Sequence, residues 1–278
     1  MPTTPLVLAL CAAFVHAGWN LLISRAPDSE AATGVALATG ALVFAPVAAL
    51  TWQVGAKALP YAAGSAALEL IYLALLARAY QEGELSVVYP VARGSAPLLI
   101  LIFSLAVLGA SLDAASIAGV CLVAGGVVLV RGGRRATANP RDLPMALTIG
   151  CAIAAYTLLD KQGLKYAHPL PYLELVIAVP ALVYVPVLAH RRGAATLQAE
   201  LNGSSIFAGL GMFGAFALAL AAIRLAPSSS LAAVQAVRET SVVIAVVLAR
   251  LLLNEGVTGP RLAGAAAVVL GVAAIAIA

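Results

Sequence analysis

The chain has 278 residues, 63% of them hydrophobic and 10% charged, with a mean hydropathy of +1.02. Soluble domains average about 25% charged residues, and no globular core of this length could hide so much apolar surface; the composition excludes a soluble enzyme and assigns most side chains to lipid or to other lipid-embedded helices. The net charge of +4 falls in short stretches between apolar runs, where lysine and arginine set topology, and gives no reason to expect nucleic acid.

Ten apolar runs follow along the chain, each able at 1.5 Å per residue to cross or nearly cross a hydrocarbon layer of about 30 Å. The first, 6–23, lacks the basic start of a signal peptide and is expected as a retained span; it carries His16, Trp19 and Asn20. After the turn signal Ala26-Pro27-Asp28-Ser29 comes 31–52. The third run, 61–79, holds Glu69 and Tyr72, and the fourth, 85–108, holds Tyr89, Pro90 and Arg93. The fifth, 114–130, is rich in glycine, and an arginine-rich break at 131–142 leads to the sixth, 143–159, with Tyr156. The remaining runs are 172–189, 206–223 with Phe213 and Phe216, 228–253 with Arg238 and Glu239, and 262–278. Segments near twenty residues without alternating polarity are helices, not barrel strands. The three cysteines, Cys11, Cys121 and Cys151, lie in apolar stretches with no metal-ligand spacing and read as inert packing residues.

Ten spans place both termini on one side. The loops of that side carry Lys57, Lys161, Lys165 and Arg224; those of the other carry Arg25, Arg78, Arg131, Arg134, Arg135, Arg141, Arg191, Arg192 and Arg261. Four against nine places the termini outside the cytoplasm.

A shift of 145 residues superposes Ala63-Gly64 on Ala208-Gly209, Arg93 on Arg238, Ser95 on Thr240, Ala118-Gly119 on Ala263-Gly264 and Gly126-Val127 on Gly271-Val272. A shift of 137 pairs Trp19-Asn20 with Tyr156-Thr157. Matches among Ala, Gly and Leu are cheap in this composition, but arginine on arginine followed by hydroxyl on hydroxyl is not. Five spans per half is an odd number, so the second copy is expected inverted on the first, with a substrate site between the copies near mid-membrane. The expected fold is all-α and integral to the membrane, ten transmembrane helices as two inverted five-helix repeats, residues 1–135 and 141–278.

The two halves, His16-Ala17-Gly18-Trp19-Asn20, Tyr89-Pro90-Val91-Ala92-Arg93-Gly94, Ala155-Tyr156-Thr157-Leu158-Leu159-Asp160-Lys161, Arg238-Glu239-Thr240-Ser241 and Leu252-Leu253-Asn254-Glu255 together resemble the ten-span EamA-type proteins of the drug/metabolite transporter superfamily. The resemblance implies transport of amino acids, other small metabolites or toxic compounds, in some cases by proton exchange, in a bacterial inner membrane. It also implies cytoplasmic termini, against the charge count. The glutamate usual after the fourth span, matching Glu255 after the ninth, is replaced by the Leu112-Asp113 neighbourhood.

A charge at the bilayer centre costs about 2.5–3.5 kcal/mol on insertion scales, so each one needs a reason. His16, Glu69, Arg93, Arg238 and Glu239 lie deep in their runs. The arginines either hold helices together by pairing with Glu69 and Glu239 or grip an anionic group of the substrate, for which a guanidinium fork suits a carboxylate or phosphate. Glu69, facing Gly214 in the repeat, is a candidate proton carrier or a structural partner of an arginine. His16 is a second proton-handling candidate or a packing histidine. Tyr72, Tyr89 and Tyr156 share helix faces or depth with these charges and are candidate substrate contacts, Tyr156 equally an interfacial residue. Trp19 reads as an interfacial residue before a pocket wall, and Phe213 and Phe216 as lipid-facing or packing residues before a cavity wall. No nucleotide-binding loop, nucleophile elbow or metal cluster occurs in the sequence. The expectation is a secondary carrier, not an enzyme, exporting a small zwitterionic or anionic metabolite with proton coupling. Glu239 is also a candidate substrate contact; organic-cation export, with Glu69 and Glu239 as the binding carboxylates, a membrane enzyme and a passive channel are the alternatives. Its expected partners are the solute and the lipid bilayer, with a homo-oligomer allowed and no cofactor or nucleic acid.

Overall fold

The structure is a computed structural model that describes residues 1–82, 85–108, 113–131, 142–253 and 258–277. Its described residues form twelve α-helices: α1 (Thr3–Ser24), α2 (Ser29–Leu50), α3 (Leu59–Glu82), α4 (Leu85–Leu108), α5 (Ala114–Arg131), α6 (Asp142–Gly163), α7 (Pro169–Arg192), α8 (Ala194–Ala199), α9 (Gly203–Leu225), α10 (Leu231–Arg238), α11 (Thr240–Leu253) and α12 (Gly259–Ile277). Among them, α1, α2, α3, α6, α7, α9 and α12 are long and apolar enough to cross a membrane, and α4 and α5 contain shorter apolar stretches. Leu42, Leu50, Leu182, Phe207 and Leu270 stand on the outer surface, where a soluble protein would place charge and a bilayer-embedded one meets acyl chains. The protein is an integral membrane protein.

Helix ends follow local chemistry. Asp28 accepts hydrogen bonds from the Glu30 and Ala31 amides at 3.1 and 3.0 Å and so starts α2. Asp113 starts α5 by accepting from the amide and hydroxyl of Ser116, both at 2.8 Å, bonds that hold its carboxyl below the ordinary aspartate range. The aspartate at the place of the expected glutamate is thus a helix cap.

Small residues let the backbones close. In the seam between α5 and α12, a Cβ on Gly119 would lie 2.7 Å from the Gly271 carbonyl oxygen, and one on Gly264 would lie 2.6 Å from that of Gly126. Two glycine pairs therefore bring these helices into backbone contact. The other principal contacts are α1 with α9, α10 and α11, α2 with α7 and α9, α3 with α6 and α7, and α4 with α5, α6 and α10.

Three expectations need correction. The ninth apolar run is not one helix: α10 stops at Arg238 and α11 begins at Thr240, with Glu239 between them. The three cysteines are on the outer surface, not packed inside; a thiol is apolar enough to face lipid as readily as a core. The sixth run continues beyond 159 to Gly163. This extension is possible because Lys161 turns inward and its Nζ donates to the Ile223 carbonyl at 2.8 Å and to the Ala226 carbonyl, capping the end of α9.

The two ends of the bundle differ. At one end the α2–α3 and α6–α7 connections are stitched together: the Gly55 amide donates to the Tyr166 carbonyl at 2.9 Å and the His168 amide to the Gln53 carbonyl at 2.8 Å. At the other end, Arg192 at the close of α7 pairs with Glu30, and the Asp28 amide donates to the Glu200 carboxylate at 2.9 Å. α2, with 22 residues, separates these ends by about 33 Å.

Candidate functional site

The site is built around the interruption between α10 and α11. The Glu239 amide bonds to the Ala236 carbonyl and the Val242 amide to the Glu239 carbonyl, each at 3.0 Å. The Thr240 hydroxyl donates back to Val237 at 2.8 Å. These three-residue offsets tighten the helix locally and leave its ordinary ladder unfinished. Polar side chains cluster there. Arg93 Nε of α4 donates to Glu239 Oε2 at 3.2 Å, Gln235 Nε2 donates to Glu239 Oε1 at 3.2 Å, and Arg238 Nη1 donates to Gln235 Oε1 at 3.1 Å. Glu239 is 0% exposed and each arginine 7%.

Arg93 and Arg238 are not equivalent electrostatically. Glu239 neutralises Arg93 in a buried ion pair. Arg238 makes its hydrogen bond to the neutral amide of Gln235, and its guanidinium lies 5.8 Å from the centre of the Phe216 ring. No carboxylate among the described residues is within ion-pair distance of Arg238.

Both arginines line a cavity of about 490 Å³. Glu69, Tyr72, Tyr156 and Phe216 share its deep part, His16, Trp19 and Asn20 of α1 line one wall, and Asp28, Ser29, Glu30 and Arg192 line its mouth. Pro27 and Ser29 are exposed, so the cavity opens on the face that carries the α1–α2 connection. The stitched 53–55 and 166–168 connections contribute nothing to its lining, so it is closed at that end. The Trp19 indole Nε1 is buried without a hydrogen-bond partner in this wall, while its ring meets that of His16 edge-on at 4.9 Å.

Of the candidate residues, the cavity brings together Arg93, Arg238, Glu69, Tyr72, Tyr156 and His16. Glu239 stands behind the wall as the partner of Arg93 and Gln235, so it positions the arginine without facing the cavity. The side chain of Tyr89 lies outside the described residues. Trp19 and Phe216 line the cavity, contrary to the interfacial and packing roles expected; Phe213 does pack, stacked on Phe44 at 4.3 Å. The sequence reading passed over Gln235, which sits four residues before Glu239 and three before Arg238, the spacing of one helix face. It also passed over Asp160, which accepts from the Ser65 hydroxyl at 2.6 Å and the Tyr172 hydroxyl at 3.1 Å. Asp160 falls one residue past the end of the sixth apolar run, where hydropathy gives no reason to look for a buried charge.

Among the described residues no group of three or more His, Cys, Asp or Glu side chains is placed to hold a metal ion. The arrangement instead suits a small polar solute: a cationic fork and a carboxylate at one depth, among aromatic rings.

Comparison with known proteins gives three findings. No curated protein matches the sequence. A protein of known crystal structure superposes with a TM-score of 0.73 at 16% identity, covering 100% of this chain and 98% of that one, a likeness of fold. Residues 143–277 match the EamA-like transporter family. Residues 143–277 thus form an EamA-like transporter domain, of the kind found in the drug/metabolite transporter superfamily.

Proposed function

We propose that this protein is a secondary active exporter of a small zwitterionic metabolite such as an amino acid, driven by proton exchange in a bacterial inner membrane. The observation that carries the reading is Arg238, a buried guanidinium on the cavity wall with no ion-pairing carboxylate among the described residues. A substrate carboxylate would complete that site bidentately. Glu69 lines the same deep part and would receive the ammonium group, and the indole N–H of Trp19 is a further donor awaiting a partner. Proton coupling follows from this assignment. A proton on Glu69 removes the charge that attracts the ammonium, so proton and zwitterion compete for the carrier, which is the requirement for exchange. Glu239, the second carboxylate that an organic cation could have used, is engaged by Arg93 and Gln235.

Alternating access would come from two inverted halves, residues 1–135 and 141–278, with ten spans in all; α10 and α11 together would make the ninth. The pattern of contacts supports this. Exchanging α1 with α6, α2 with α7, α3 with α9, α4 with α10–α11 and α5 with α12 turns the α1–α9 contact into α6–α3 and α2–α9 into α7–α3, both of which occur. It turns the Gly119–Gly271 approach into Gly264–Gly126, which also occurs.

The test is a thermal-stabilisation screen of purified protein against amino acids, organic acids and amines. A zwitterionic or anionic compound should raise the melting temperature of the native protein and lose that effect in Arg238→Ala. Stabilisation by amines that survives in a well-folded Arg238→Ala protein would move the assignment to organic cations.

A further inference from the structure

Below the cavity, on the side of the closed end, lies a second and much smaller void of about 10 Å³. Glu69, Tyr156 and Arg238 line both spaces, whereas Asp160 and Thr157 line the small one alone. The volume is at the threshold for a single water molecule, which needs roughly 10–15 Å³ and two or more polar partners. Glu69 and Asp160 provide those partners.

The helix register explains the placement. Ser65 and Glu69 are four residues apart on α3, and Tyr156 and Asp160 four apart on α6, so each pair spans one turn of about 6 Å. The Ser65–Asp160 hydrogen bond of 2.6 Å sets these two helices side by side. It puts Asp160 one turn from Glu69, toward the stitched end. The groups facing Asp160 are Ser65 and Glu69 from α3, Tyr156 from its own helix, Tyr172 from α7 and Arg238 from α10. The neighbouring Lys161 is turned away, onto the carbonyls that end α9.

We propose that Asp160 is a second proton-binding site, exchanging one proton with Glu69 through a single water in this void and carrying it toward the closed face. The step balances without further reactants. The Glu69 carboxyl gives its proton to the water as the water gives one to the Asp160 carboxylate, so one carboxylate is charged before and after and Arg238 faces the same net charge. The Ser65 and Tyr172 hydroxyls, both donating to Oδ1, hold the charged form when the proton is on Glu69. The inference deepens the proton-exchange reading and rests on Glu69 as its proton carrier.

The experiment is a pH-difference infrared titration of the purified full chain, with the proton as the only ligand. The native protein should show two coupled carboxyl bands. Asp160→Asn should delete one band and move the midpoint of the other by about one pH unit or more. Glu69→Gln should delete the other band and move the Asp160 midpoint comparably. Tyr172→Phe should shift the frequency of the Asp160 band alone. If Asp160→Asn does not fold, the other two variants still decide the matter, because both keep Asp160. An Asp160 band that is absent, or that titrates with the same midpoint in Glu69→Gln, overturns the relay and leaves Asp160 as a structural tie between α3, α6 and α7. The readout needs no substrate, so loss of the zwitterion assignment in the Arg238 variants would leave this result standing, and the reverse.

Discussion

Arg93 and Arg238 carry the same charge to the same cavity, yet their partners give them different tasks. Arg93 is half of a buried ion pair, and removing one member of such a pair leaves a desolvated charge, a loss of about 3–5 kcal/mol. Glu239→Gln should therefore lower the melting temperature strongly, whereas Arg238→Lys, which keeps its charge, should lower it little. Binding should respond in the opposite order. Arg238→Lys loses the planar fork and one charge-assisted hydrogen bond, about 1.5–3 kcal/mol or roughly ten- to a hundredfold in affinity. Isothermal titration with the best compound of the screen, set beside melting curves, checks both halves of the prediction. A melting loss in Arg238→Lys as large as in Glu239→Gln would mean that both arginines are structural. These residues were legible in the sequence because a charge inside an apolar run is conspicuous. Gln235 was not, since an amide in such a run attracts no notice until its neighbours are known, and the place of Trp19 near a span end favoured an interfacial role over the cavity wall it forms. Asp160 was missed for a different reason: hydropathy ended its helix one residue early, and only the inward turn of Lys161 lets the helix carry a charged pair there.

At the scale of elements, apolar runs located the helices well and their interruptions poorly. Nothing between Leu231 and Leu253 breaks a helix by propensity, with neither proline nor glycine in the stretch. At the break Glu239 is paired with Arg93 of α4, a long-range contact that no local signal announces. The glycines, by contrast, were readable in register: the shift of 145 maps Gly119 onto Gly264 and Gly126 onto Gly271, and these four meet in the α5–α12 seam as the crossed pairs Gly119–Gly271 and Gly126–Gly264. A Cβ at Gly264 would come within 2.6 Å of both the Gly126 oxygen and the Val130 nitrogen, backbone atoms that cannot step aside, whereas one at Gly125 meets nothing within 4 Å. Gly264→Ala should thus cost about 1–3 kcal/mol through overpacking, while Gly125→Ala should be neutral or slightly stabilising. Thermal unfolding in the same detergent compares the two. Equal melting temperatures would show that the seam is looser than its geometry.

For the whole molecule, the compartment that the cavity faces decides whether this conformation loads substrate or releases it. The mouth lies on the face of the α1–α2 connection, bordered by Asp28, Ser29, Glu30 and Arg192. On a ten-span reading, that face carries nine lysine and arginine residues at its helix ends and connections against four on the other. The positive-inside tendency then puts the mouth in the cytoplasm and the termini outside. An exporter in that state is ready to take up its cargo, with the stitched 53–55 and 166–168 connections barring the exit. The cytoplasmic termini implied by the family resemblance give the opposite answer. A cysteine at Ser29, exposed at the mouth, and one at Ala56, exposed at the closed end, distinguish them in a background where Cys11, Cys121 and Cys151 are replaced by alanine. Charge asymmetry predicts that a membrane-impermeant maleimide labels Ser29→Cys in inside-out vesicles and Ala56→Cys in intact spheroplasts. The reverse pattern would place the termini in the cytoplasm and make this conformation the releasing one. The loop arginines would then have to owe their position to something other than topology, with Arg192, paired to Glu30 at the mouth, the first to examine.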